Sequence, residues 1–189
     1  MTAYDDVAPR DAHARAGELT AIDVREPNEW DGALGRVPGA LHVPLGELAA
    51  RADALPRGRA LLLVCRSGRR SAAACETLAA RGLGPLHNLE GGMIAWCRAG
   101  LPVERRDPST PAALVDGLVA WLAQVTMQTP DAARARVGDA LAPRASTTRD
   151  DAARAIDAVE AALAGDGAPA DLDLVVASYR RALRALGAG

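Results

Sequence analysis

The chain has 189 residues, 49% of them apolar and 24% charged, a length that suits one large domain or two small ones and a composition that excludes wholesale disorder and fibrous repeats. Formal net charge is −2; all 22 cationic residues are Arg, 12 against 13 acids through Glu104 and 10 against 11 after it. Neither half is basic enough to hold nucleic acid by bulk charge.

Arg without Lys, and the abundance of Ala, read as GC-rich bacterial-type codon usage and not as mechanism. Cysteines stand at positions 65, 75 and 97 with no CxxC, which points to neither a disulfide scaffold nor a zinc site. Residues 1–6 have no basic stretch followed by an apolar core, so no secretory signal is expected. The most apolar stretch, 112–127, is short and holds Asp116 and Gln124, which argues against a membrane span. The expectation is a soluble, cytoplasmic protein with reduced thiols and neither nucleic acid nor membrane as partner.

Strand candidates in chain order are residues 20–24, 40–43, 60–64 and 86–89. The run at 60–64 is apolar throughout, as a strand buried on both faces requires. Helices are expected at 9–17, 45–55, 70–81 and 93–99, and Gly82, Gly84 and Pro85 mark a stop and turn before the last strand. Strands alternating with helices indicate an α/β domain with a mostly parallel sheet.

At 101–108 strand signals cease, and two prolines among charges make a linker. The division expected is therefore a domain at 1–104, a linker at 105–110 and an all-α region at 111–189. Ser109 or Thr110 caps a helix with Pro111 in its first turn and a stripe of Leu114, Leu118, Leu122 and Val125. Thr129 and Pro130 start a shorter one ending near Leu141, before Pro143. Thr148 and Asp151 have capping-box spacing ahead of Ala152, Ile156, Val159 and Leu163, and Gly165 closes that stripe. The last helix starts near Asp171 with Leu172, Val176, Tyr179, Leu183 and Leu186 on one face. Such stripes need burial against each other, the first domain or a second copy, so a homodimer through these helices is one option.

Chemistry concentrates in Val64-Cys65-Arg66-Ser67-Gly68-Arg69-Arg70-Ser71, between the apolar strand and an Ala-rich helix. A Cys at the carboxyl end of a parallel strand stands where open α/β sheets place reactive groups. The short Gly-containing loop turns backbone N–H groups inward ahead of a helix N-terminus, and the arginines add positive potential. Each effect favours thiolate over thiol at Cys65.

Over about residues 4–104 the chain resembles the rhodanese family of sulfurtransferases. The matching pieces are Ile22-Asp23-Val24-Arg25-Glu26 with Glu29-Trp30, Val37-Pro38-Gly39-Ala40 with Pro44, the Cys65 loop, and Glu90-Gly91-Gly92 with Trp96. Arg36 departs from the pattern, because the family usually has His there. The resemblance implies a three-layer fold on a central parallel five-stranded sheet, with Cys65 holding a sulfane sulfur as a persulfide and no metal or organic cofactor.

Cys65 to Arg70 is C-x4-R, the six-residue loop typical of rhodaneses. Related phosphatases and arsenate reductases use C-x5-R, whose extra residue makes room for an oxyanion. Arg66, Ser67, Gly68, Arg69, Arg70 and Ser71 are the expected substrate-binding residues, and a cationic loop suits thiosulfate better than mercaptopyruvate. Arg70 has a competing role as a brace for the loop. Acceptors in such a scheme are cyanide, glutathione, a dithiol or a protein thiol. Asp23, Arg25, Gly91 and Gly92 are expected to scaffold the site. Cys75 and Cys97 are read as packing residues over sulfur-relay thiols, and His13, His42 and His87 as structural. A second reading makes the domain a non-enzymatic interaction or redox-sensing module. Residues 109–189 carry no comparable motif and fit a helical cap, a dimer surface or a docking module for a sulfur-carrying protein.

Overall fold

The computed structural model describes residues 3–138, 146–165 and 167–187. The chain divides into two compact units, Met1–Arg105 and Arg106–Gly189. The first contains strands β1 (Asp5–Val7), β2 (Leu19–Asp23), β3 (Leu41–His42), β4 (Ala60–Val64) and β5 (Leu86–Leu89). Its helices are α1 (Pro9–Ala14), α2 (Pro27–Trp30), α3 (Leu45–Arg51), α4 (Arg69–Ala79) and α5 (Gly92–Arg98). The strands form one parallel sheet in the order β1-β5-β4-β2-β3.

Burial explains why the 60–64 run lies near the middle. Leu61, Leu62, Leu63 and Val64 are all buried, which only a strand covered on both faces achieves, and each fully buried Leu contributes about 1.5–3 kcal/mol. Alternation along β4 sends Leu61, Leu63 and Cys65 into a cluster with Ile22, Val24, Leu48, Ala74, Cys75 and Leu78, under α3 and α4. Leu62 faces the opposite way and lines a recess of about 330 Å³ with Ala12, Val37 and Trp96, on the side of α1 and α5. The result is three layers with the sheet between them. Register pairs Asp23 with Val64, so the carboxyl ends of β2 and β4 meet at one edge, where Cys65 follows.

Two elements fall outside the expectations from sequence pattern. Strand β1 has Asp5 and Asp6 exposed and only Val7 buried; it is held by its pairing with β5, from Asp5 with His87 to Val7 with Leu89. Helix α2 is a single turn, organised by a capping box between Glu26 and Glu29 with Pro27 at its start. The expected helix at 45–55 ends at Arg51, and Ala52–Ala54 continue as a 3-10 turn.

The second unit contains α6 (Pro111–Thr126), α7 (Pro130–Val137), α8 (Arg149–Leu163) and α9 (Leu172–Ala185). Thr110 caps α6 by accepting a hydrogen bond from the Ala113 N–H at 3.1 Å, and Thr148 and Asp151 form the capping box of α8. Leu114, Leu118 and Leu122 are fully buried, as are Ala152, Ile156 and Val159. The expected end of the second helix near Leu141 lies outside the described residues. In α9 the buried face centres on Val175, Val176, Tyr179 and Ala182, while Leu172, Leu183 and Leu186 are half-buried. Tyr179 sets that rotation: its hydroxyl occupies the space beside Gly117, where a Cβ would come within 2.8 Å of it. No helix among the described residues is long and apolar enough to cross a membrane.

Candidate active site

The end of β4 delivers Cys65 into a closed turn. Its side chain is 1% exposed, and Sγ accepts two hydrogen bonds, from the Gly68 N–H and from the Ser71 hydroxyl, both at 3.2 Å. Gly68 turns the chain with φ of +92° and serves as the N-cap of α4, which brings its amide back onto the sulfur. A side chain there would be strained and would press on the Gly91 nitrogen at 3.2 Å and the Leu89 oxygen at 3.3 Å. Ser67 and Arg69 are exposed at the mouth, Arg66 and Arg70 are half-buried, and Ser71 is fully buried.

Helix α5 holds the loop from the other side. The Met93 N–H donates to the Cys65 carbonyl at 2.9 Å and the Ile94 N–H to the Arg66 carbonyl at 3.1 Å, so first-turn amides that have no partner inside the helix fix the peptide groups beside the sulfur. This approach requires Gly92: at φ of +58°, a Cβ would lie 2.7 Å from the Arg66 carbonyl carbon and closer still to the Cys65 oxygen. Gly91, at φ of +67°, makes the turn into α5.

Charged groups around the loop are mostly committed to each other. Arg70 makes a bidentate pair with Glu29, both N···O distances 2.6 Å, and this hydrogen-bonded carboxylate raises the guanidinium pKa above its ordinary value. Glu29 also accepts from the Glu26 N–H at 3.2 Å, which closes the α2 cap, while its pair with Arg70 ties α2 to α4. Asp23 and Arg25, 0% and 1% exposed, form a second buried pair: Nε donates to both carboxylate oxygens and one terminal nitrogen to Oδ2 at 2.7 Å. That nitrogen also donates to the Gly35 carbonyl at 2.7 Å. His42 Nε2 lies 2.8 Å from the Arg25 carbonyl oxygen.

The Rhodanese-like domain family profile matches residues 8–99. A sulfurtransferase from Allochromatium vinosum is 41% identical over 86 residues, which cover 46% of this chain and 78% of that protein. This chain belongs to the rhodanese family. A solved rhodanese-related protein from Thermoplasma volcanium, 32% identical, matches with a TM-score of 0.51 over 55% of this chain and all of that one. A protein from Rhodopseudomonas palustris described as a possible tyrosine phosphatase matches at 29% identity with a TM-score of 0.50, over 53% of this chain and 85% of that one. The rhodanese fold is thus common to neighbours with different assignments, and loop chemistry must separate them.

Within this rhodanese the remaining sequence candidates divide clearly. Cys75 is packed in the core, and burial pushes its thiol up to about 12, which suits packing and not relay. Cys97 is half-buried and its thiol donates to the Leu34 carbonyl at 3.3 Å. Arg36, where the family usually has His, lies 4.6 Å over the Trp30 ring and bonds Glu104 at 3.3 Å. Trp30 in turn stacks on His42, with centroids 4.7 Å apart. His87 contacts Arg15 through Nε2, while its buried Nδ1 has no partner among the described residues. Burial and the Arg15 charge lower the His87 pKa from its usual range.

Glu29 is the site-supporting residue that sequence reasoning did not assign a role. Its spacing from Glu26 across Pro27 carries a capping signal, but nothing local shows that the same carboxylate is buried against Arg70, 41 positions later.

Proposed function

We propose that this rhodanese transfers sulfane sulfur from thiosulfate to a thiophilic acceptor through a persulfide on Cys65. The observation that carries the reading is a buried Cys65 sulfur accepting two hydrogen bonds inside a C-x4-R loop. In the first half-reaction the Cys65 thiolate attacks the outer sulfur of thiosulfate, the S–S bond breaks, and sulfite leaves with the bonding pair. The charge balances: a monoanion and a dianion yield Cys65–S–S⁻ and SO₃²⁻. In the second, cyanide or a thiolate attacks the outer sulfur and Cys65 departs as thiolate. No proton, metal or redox partner enters either step.

Loop size supports sulfur over phosphoryl chemistry, because six residues leave less room for a tetrahedral oxyanion than seven. Charge supports thiosulfate: the loop carries an exposed Arg69 and a half-buried Arg66, and the Gly68 N–H points at the sulfur. We assign Arg70 to bracing, since its guanidinium is occupied by Glu29. Three unbridged cysteines fit a cytoplasmic setting. The chemistry is assigned to residues 1–104, and residues 111–189 to association or docking, with a homodimer as the simplest form.

Purified protein given thiosulfate and cyanide is expected to release thiocyanate, with weaker use of mercaptopyruvate. Replacing Arg66 and Arg69 together by Ala should raise KM for thiosulfate and flatten its salt dependence, and the exposed Arg69 position alone should cost within about 0.5 kcal/mol of stability. Unchanged donor kinetics at low salt would contradict the role given to the arginines. A wild type silent with both donors would favour the non-enzymatic reading.

A further inference from the structure

Ser71 is the buried polar side chain at the sulfur for which the two half-reactions above name no task. Its hydroxyl lies 3.2 Å from Cys65 Sγ and 3.1 Å from the Gly68 carbonyl oxygen. A serine has one hydroxyl proton to donate, so it serves one of these acceptors at a time, and rotation about the Cβ–Oγ bond is all that separates them. The charge on the sulfur decides between the two. On the free thiolate the charge sits on Sγ, and a charge-assisted hydrogen bond is roughly twice as strong as a neutral one. Once Cys65 carries an extra sulfur, the charge moves to the outer atom; Sγ becomes a neutral, weak acceptor, and the Gly68 carbonyl is the better partner. The Gly68 N–H, also 3.2 Å from Sγ, is fixed by the backbone and cannot turn to another acceptor.

We propose that Ser71 is the leaving-group donor of the sulfur-delivery half-reaction: its hydroxyl rests on the Gly68 carbonyl while Cys65 is loaded and turns to Sγ as the persulfide bond breaks. The acceptor's electron pair forms the new bond to the outer sulfur, and the S–S pair returns to Sγ. The Ser71 proton stays on its oxygen and is offered as a hydrogen bond, so atoms and charges balance with no further reactant.

The contribution is directional. During delivery the hydrogen bond is stronger in the transition state than in the loaded ground state, which is the condition for accelerating a step. During loading Sγ begins with that bond and gives part of it up, so the hydroxyl does not assist attack on the donor. This asymmetry rests on the persulfide reading proposed above.

Ser71→Ala, Ser71→Thr and the wild-type full chain can be compared by rapid quench, following loading from thiosulfate by mass spectrometry and delivery from the preloaded protein to cyanide as thiocyanate. Delivery by Ser71→Ala is expected to slow by about tenfold to a hundredfold, the range for losing a hydrogen bond to a charged group. Loading should lose much less than delivery, and native-like circular dichroism certifies that the variant is folded. Ser71→Thr should restore delivery. Equal losses in loading and delivery, or undiminished delivery by Ser71→Ala, would overturn the proposal by leaving the hydroxyl a packing role or none. A wild type that takes up no sulfur would instead overturn the persulfide reading, and this proposal with it.

Discussion

Asp23→Ala is expected to destabilise the protein by about 3–5 kcal/mol, because it removes one partner of a buried ion pair and leaves the other charge without compensation. Total stability of a domain is only about 5–15 kcal/mol, so this single change threatens folding at physiological temperature. Arg25 is 1% exposed, and Asp23 accepts from its Nε, from one terminal nitrogen and from its backbone N–H. With the carboxylate gone, the contact to the Gly35 carbonyl is what remains among the described residues for a guanidinium that cannot shed its proton. Urea unfolding of the variant beside the wild type measures the effect. A loss below about 1 kcal/mol would mean that water reaches Arg25, contrary to its burial.

Gly92→Ala is expected to remove sulfur transfer and to cost about 3 kcal/mol of stability, from a left-handed backbone at a non-glycine residue and from overpacking. The atoms a new Cβ would meet are the Cys65 oxygen and the Arg66 carbonyl carbon and oxygen. Being backbone, they cannot rotate aside. Either α5 retreats, which breaks the Met93 and Ile94 hydrogen bonds to the loop, or the loop tilts and carries the Gly68 amide off the sulfur. Turnover and thermal midpoint should fall together. Full activity with an unchanged midpoint would show that the loop does not depend on its seat against α5.

Much of this arrangement is legible in the sequence wherever cause is local. The 60–64 run announces a strand covered on both faces, and β4 is such a strand. Thr148 and Asp151 announce a helix start, and both side chains close the box. The five-strand count came through family resemblance and not through pattern, since β1 buries only Val7 and exists through its pairing with β5. Long-range partners were the illegible part. Glu29 meets Arg70, and Gly92 meets Cys65, only after the sheet has brought their loops to one edge. The α9 stripe drifted for the same reason, because Tyr179 seats against Gly117 of another helix. Sequence spacing marks which residues are apolar; packing chooses which of them face inward.

Persulfide formation on Cys65 is the central claim, and intact-protein mass spectrometry after thiosulfate treatment tests it most directly. The full chain should gain the mass of one sulfur, peptide mapping should place it on Cys65, and cyanide should remove it as thiocyanate. Cys65→Ala should gain nothing. Sulfur found on Cys97 or Cys75 in the wild type, or uptake by Cys65→Ala equal to that of the wild type, would contradict the account.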